Sequence, residues 1–251
     1  MKILFSGYRI AGYDCLQYLI DQGEDIVAVL THDDKLDPVK IGTKSVKKLA
    51  QQHNIPIFLA ENEDKHLIKN FINKIKPEVH LSAFYSKKIP EEVIEMIPIN
   101  TNIHGGKLPE YKGCFSPIWT ILNGEKTTEV TLQLMGKKID SGEIIKTVKL
   151  DIGDDETGGE LYYRVTDVTI KLFKEIYQQL KNGDPIKLTP QPKGGHYYKR
   201  KLPNDGFVNL NDDPKKVYNF IRALTFPPLE PAHTIINGKK IYLYSKTGDI
   251  K

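Results

Sequence analysis

Along the first hundred residues, short apolar runs alternate with longer segments in which apolar positions recur every three or four residues. Residues 2–6 read as an apolar strand, and Gly7 opens a turn into a helix over 11–22. A second strand, rich in β-branched residues, covers 26–31. Helical character over 44–53, a strand over 55–59, a helix over 64–76 and a strand over 78–85 continue the alternation. Strands and helices in that order predict a parallel sheet with helices on both faces. Further on, 99–104 reads as a short strand, 111–113 as a turn, 115–122 as a helix stopped by Asn123-Gly124, and 129–135 and 143–150 as strands. Thr157 with Glu160 forms a capping-box signature. The helix it opens carries Leu161, Val165, Val168, Leu172, Ile176 and Leu180 in one apolar stripe, which marks a packing helix.

From 184 to 203 the pattern breaks into polar, basic, proline-bearing sequence, as expected of a linker. Lys193, Lys199, Arg200 and Lys201 interleave there with Tyr197 and Tyr198. Such composition can line a nucleic-acid groove; a solvated hinge is the reading preferred. A helix over 214–224 follows, and Asn237-Gly238 between apolar strands in 234–244 is the signature of a type I′ hairpin turn. The expected organisation is therefore a catalytic domain over 1–190 and a linker with a small β-rich unit over 191–251.

Composition changes this picture little. The 251 residues are 39% hydrophobic and 27% charged, which is ordinary for a globular chain with a sizeable core. The net charge of +4 does not by itself argue for nucleic acid and suits a phosphorylated small molecule equally well. With no signal-peptide pattern and no apolar run long enough to span a membrane, the cytoplasm is the expected compartment. Cys15 and Cys114 lack metal-type spacing and are too few for a disulfide framework. The 7–12 turn lacks the glycine pattern of a dinucleotide fingerprint, so no nicotinamide cofactor is expected, and Tyr8 and Arg9 within it read as exposed turn residues.

The chemistry concentrates in 99–113. Side chains two apart on a strand leave from the same face, so Asn102 and His104 point together while Ile103 points into the body of the protein. Gly105 and Gly106 end the strand and let the backbone come close to whatever lies over that face. A lone histidine at a strand end is usually structural, and an asparagine beside it is often a turn former. The setting favours a site, because open α/β sheets bind ligands beyond the carboxyl ends of their strands.

Asn102-x-His104-Gly105-x-x-Leu108-Pro109-x-Tyr111-Lys112-Gly113, followed by Ile139-Asp140-Ser141-Gly142, resembles the folate-dependent formyltransferase family. The likeness extends from Met1 to about Tyr244. It implies a Rossmann-like α/β formyltransferase domain with a mostly parallel sheet, joined to the small β-rich C-terminal unit. It also implies that Asn102, His104 and Asp140 are catalytic, serving an amine that attacks a formyl carbon. An imidazole titrates near neutrality and suits proton handling; the Asn102 amide can donate to the developing oxyanion; Asp140 can orient the imidazole or hold a relaying water. The resemblance leaves open whether His104 acts as base or as oxyanion partner. Taken alone, Asp140-Ser141-Gly142 would read as a bend.

The implied co-substrate is 10-formyltetrahydrofolate, with its pocket formed by Ser86, Lys87 and Lys88 and by Gly136, Lys137, Lys138 and Ile139. Gly105-Gly106 in place of the Pro-Ser typical of glycinamide ribonucleotide enzymes argues against that branch. The short C-terminal unit and mild charge argue against transfer-RNA formylation. The segment Arg222 to Pro228 is similar to the sugar-nucleotide branch, so the expected acceptor is a nucleotide-linked amino sugar, a dTDP-4-amino-4,6-dideoxyhexose of a surface-polysaccharide pathway. Lys112 and Arg222 are candidate diphosphate contacts, and Tyr111 and Phe226 candidate covers for sugar or base. Cys114 stands where some relatives acting on UDP-linked sugars carry an arginine. No metal, nucleic acid or membrane partner is expected, and the family suggests a homodimer through the C-terminal hairpin. The competing readings are a methionyl-tRNA formyltransferase and a non-catalytic folate or sugar-nucleotide binding module.

Overall fold

The computed structural model describes residues 1–34, 44–60 and 65–246. The first apolar run enters a sheet as β1 (Lys2–Gly7), buried from Ile3 onward. It is followed by α1 (Arg9–Asp21), β2 (Asp25–Thr31), α2 (Val46–Gln52), β3 (Ile57–Leu59), α3 (Lys65–Ile75), β4 (Val79–Ala83), α4 (Glu91–Glu95) and β5 (Ile99–His104). Then come β6 (Tyr111–Gly113), α5 (Ser116–Leu122), β7 (Thr127–Leu134), β8 (Ile144–Asp151) and α6 (Gly158–Asn182). The chain finishes with β9 (His196–Tyr198), α7 (Pro214–Leu224), β10 (Ala232–Ile236) and β11 (Lys239–Leu243). The expected helix start at Asp64 lies outside the described residues.

A seven-stranded sheet has the order β3-β2-β1-β4-β5-β7-β8. The pairings β1 with β2 and β4, β2 with β3, and β4 with β5 are parallel, and β7 joins β5 antiparallel. The expected mostly parallel α/β sheet is thus present. Its connection order reverses at β1, the kind of switch that opens a crevice at the carboxyl ends of strands. Adjacent residues of β1 show how both faces are covered. Leu4 packs in a buried cluster with Leu30, Ile68, Ile72 and Val93. Phe5 meets Phe173 of α6 edge to face, with ring centroids 5.9 Å apart. Burial on both faces is the reason this part of the sequence reads as near-continuous apolar runs.

The chain divides into two compact units. The first comprises Met1–His104, Thr131–Thr147 and Asp167–Pro192, and the second Gly105–Val130, Val148–Thr166 and Lys193–Lys251. Within the second, the Thr157–Glu160 capping box forms reciprocally: the Thr157 N–H donates to Glu160 Oε2 at 2.8 Å, and the Glu160 N–H to Thr157 Oγ1 at 3.2 Å. The hairpin turn has positive φ at both Asn237 (49°) and Gly238 (74°), as a type I′ turn requires.

Three local expectations are corrected. The strand expected to reach Tyr85 ends at Ala83, because Phe84 takes a left-handed φ of 59°. Residues 111–113, read as a turn, are strand β6, which pairs in parallel with β9. That pairing also removes Tyr198 from the expected solvated hinge, while Tyr197 stays exposed: the Tyr198 ring lies 4.6 Å from Trp119 and 5.6 Å from Tyr111, centroid to centroid. Aromatic stacking supplied the order that proline and lysine content concealed.

Candidate active site

The site begins with the register of β5. Asn102 pairs with Ser82 of β4 on one side and Gln133 of β7 on the other, and His104 pairs with Thr131. Directly opposed residues on neighbouring strands share a face. Asn102, His104, Gln133 and Thr131 therefore line one face, while Ile103, 2% exposed, is buried on the other.

Asp140 arrives from the loop joining β7 to β8. The loop is tight: a Cβ at Gly142 would stand 1.8 Å from Leu134 O, so only glycine fits. Asp140 adopts φ 51°, a left-handed conformation that aspartate tolerates better than most residues. Its Oδ2 lies 3.5 Å from His104 Nδ1, and both side chains are nearly enclosed. Its Oδ1 accepts a 3.0 Å hydrogen bond from Gln133 Nε2. Gln191, nine residues beyond the end of α6, donates from Nε2 to Gln133 Oε1 (3.0 Å), Asp140 O (3.2 Å) and Gly142 O (2.7 Å).

Sequence reasoning missed both glutamines. Gln133 left a trace, since a polar residue inside an apolar strand must find partners when buried, and it is 1% exposed. Gln191 left none, because it lies in the stretch read as a linker.

The residues expected to hold folate lie in this same unit. Ser86 Oγ is 2.8 Å from His32 Nε2, and Lys87 and Lys88 are exposed. Lys137 pairs with Glu91 at 2.6 Å, Lys138 O accepts from Ser141 Oγ at 2.8 Å, and Gly136 precedes them half-buried. Ile139 is exposed on the same loop.

The expected substrate contacts belong to the second unit, and three of the four are interior to it. Arg222 is 4% exposed; its Nε donates to Asn219 Oδ1 at 2.9 Å and its Nη1 to the carbonyls of Gly153 (3.1 Å) and Glu156 (2.8 Å). Burial lowers its guanidinium pKa from the usual range. Phe226 packs on Tyr162 at 4.9 Å between ring centroids. Tyr111 donates to Glu125 Oε1 at 2.9 Å and accepts from Asn123 at 3.3 Å, and burial, with Glu125 adding to it, raises its phenol well above the ordinary range. These side chains hold this unit together through the hydrogen bonds and ring contacts just given. Lys112 differs: its Nζ makes an exposed 3.2 Å hydrogen bond to Gly194 O.

Comparison with known proteins bears on the fold and the family. ArnA, the bifunctional polymyxin resistance protein of Wigglesworthia glossinidia brevipalpis, is 31% identical over 245 residues. That alignment takes in 97% of this chain and 37% of ArnA, so the chain spans well under half of that relative. Among solved structures, WlaRD, a sugar 3N-formyl transferase crystallised in the presence of dTDP and 5-N-formyl-THF, superposes with a TM-score of 0.74 at 25% identity. It covers 97% of this chain and 85% of its own. An N-formyltransferase from Helicobacter canadensis, in complex with folinic acid and dTDP-3-aminofucose, shares the fold with a TM-score of 0.71 at 24% identity, over 97% of this chain and 87% of that one. The formyl transferase family model matches residues 2–176, a span that holds Asn102, His104 and Asp140, and the chain belongs to that family.

Proposed function

We propose that this protein transfers a formyl group from 10-formyltetrahydrofolate to the amine of a nucleotide-linked amino sugar. The observation that carries the reading is the convergence of Asn102 and His104 on one strand face with Asp140 returning against the imidazole. Formyl-folate and a dTDP-linked acceptor are supported by the ligands of the WlaRD structure. In the reaction the acceptor nitrogen attacks the formyl carbon, and the resulting oxyanion is met by the Asn102 amide. With Nδ1 turned to Asp140, Nε2 of His104 is the nitrogen that takes the proton lost by the amine. Collapse breaks the bond to N10 of the folate, which leaves protonated as tetrahydrofolate. Asp140 orients the ring in this scheme.

Within this class the finer proposal is a dTDP-4-amino-4,6-dideoxyhexose for a surface polysaccharide, with Lys112 as the candidate diphosphate cation. The direct competitor is a 3-amino sugar, the class named for the 25% identical relative. A homodimer is proposed through β10–β11, where Ile235 and Ile236 are 51% and 50% exposed. The proposed compartment is the cytoplasm; among the described residues no helix is long and apolar enough to cross a membrane.

The deciding experiment supplies 10-formyltetrahydrofolate with 3-amino and 4-amino sugars on dTDP and UDP, and separately with initiator methionyl-tRNA. Turnover of a dTDP-amino sugar with none on tRNA is the expected result. Formylation of tRNA alone would overturn it.

A further inference from the structure

Gln133 and Gln191 carry more than packing. Amide orientations have to be argued from the surrounding hydrogen bonds, and here one end of the chain of bonds is fixed. Gln191 Nε2 faces two backbone carbonyls, Asp140 O and Gly142 O, which can only accept. Its own Oε1 is buried without a hydrogen-bond partner among the described residues. Turning the amide over would set that oxygen against those same carbonyls, so the nitrogen stays inward. Gln133 must then present Oε1 to Gln191, which directs its Nε2 at Asp140 Oδ1. With one carboxylate oxygen held this way, the other faces His104 Nδ1. Asp140 itself sits on a loop in left-handed conformation, and Gln191 grips that loop by two of its carbonyls.

We infer that Gln133 and Gln191 are a positioning pair for the proposed reaction: Gln191 sets the loop and the Gln133 amide, and Gln133 sets the rotation of the Asp140 carboxylate that orients His104. The inference rests on the function proposed above. Neither glutamine is assigned contact with substrate; both act through Asp140.

The test uses the full-length protein and steady-state kinetics with 10-formyltetrahydrofolate and the best amino-sugar nucleotide, together with 15N spectra of the His104 ring. Gln133→Leu keeps the volume and removes the donor. It is expected to lower kcat by about 10- to 100-fold at unchanged KM, the scale of a misplaced catalytic group, and to shift the His104 nitrogens toward a mixture of tautomers. Gln133→Glu is nearly isosteric and adds a charge beside Asp140, with His104 the other titratable group of the network. Its activity relative to the unsubstituted protein should recover as pH falls and the introduced carboxyl regains a proton to donate. A packing role would produce no such pH-dependent recovery. Gln191→Met should give a smaller kcat loss, and the double variant should lose less than the product of the two single losses, because part of the Gln191 effect runs through Gln133. If Gln133→Leu does not fold, Gln191→Met and Gln133→Glu read the same linkage.

Wild-type kcat and unchanged ring signals in Gln133→Leu would overturn the inference while leaving the function standing. Absence of any formylation by the unsubstituted protein would overturn the function instead. The ring spectra then decide the pair by themselves, since altered His104 signals in Gln133→Leu support it and unaltered ones defeat it.

Discussion

His104 Nδ1 and Asp140 Oδ2 stand 3.5 Å apart although 36 positions separate them in the chain. Their meeting depends on the antiparallel return of β7 along β5 and on a loop that folds back over the strand face. His104→Ala should reduce formyl transfer by about 10²- to 10⁴-fold, the usual contribution of a positioned proton-handling group. Folate binding by calorimetry and the melting temperature should remain near wild type. Retained turnover would remove the mechanism.

Gly142 tests the loop separately from the catalytic side chains. A Cβ there would collide with the Leu134 carbonyl at 1.8 Å, and backbone cannot give way as a flexible side chain can. Gly142→Ala should displace Asp140 and cut kcat by about 100-fold, the effect of a misplacement near 1 Å. A crystal structure of the variant would show the displacement; an unmoved loop would count against this account.

Arg222 and Lys112 should separate cleanly. Arg222→Met removes the hydrogen bonds that this buried guanidinium gives to Asn219 and to the part-buried carbonyls of Gly153 and Glu156, and a hydrogen bond from a charged group contributes about 1.5–3 kcal/mol. Denaturant unfolding should show that destabilisation. Lys112→Ala removes only an exposed hydrogen bond. Its midpoint should stay put while KM for the sugar nucleotide rises. Loss of substrate affinity without loss of stability in the Arg222 variant would restore the diphosphate role to that residue.

Acid should weaken the fold through His80. Its ring is buried between Ser6 Oγ (2.9 Å) and Asn100 Oδ1 (3.3 Å), and burial brings its pKa down to about 4 despite the Asn100 bond. In the unfolded chain the same ring titrates near its ordinary value of about 6.5. Between those values the unfolded state binds the extra proton, so stability falls as pH drops from about 6.5 toward 4, by on the order of 3 kcal/mol. Urea midpoints measured across that window should decline, and His80→Gln should flatten the decline. Equal slopes in both proteins would assign the acid sensitivity elsewhere.

For the proposed dimer, Ile236→Lys places a charge on the exposed hairpin and should convert the species seen by analytical ultracentrifugation to monomer. A wild-type monomer at micromolar concentration would dispose of the proposal.

The elements that packing demands were legible in the order of residues. β5 runs over Ile99–His104 and α7 over Pro214–Leu224 as read, and the Thr157–Glu160 box starts α6 as read. These features depend on backbone preference and on spacings of two, three or four residues, which any short stretch displays. The joint presence of Asn102, His104 and Asp140 was legible for another reason: their motif resembles a family. Only the tertiary structure decided that Gln133 stands opposite Asn102, that Gln191 steers it, and that Arg222, Tyr111 and Phe226 are engaged inside their own unit. Strand register, loop return and amide direction arise from contacts between segments far apart in sequence, and a local pattern does not contain them.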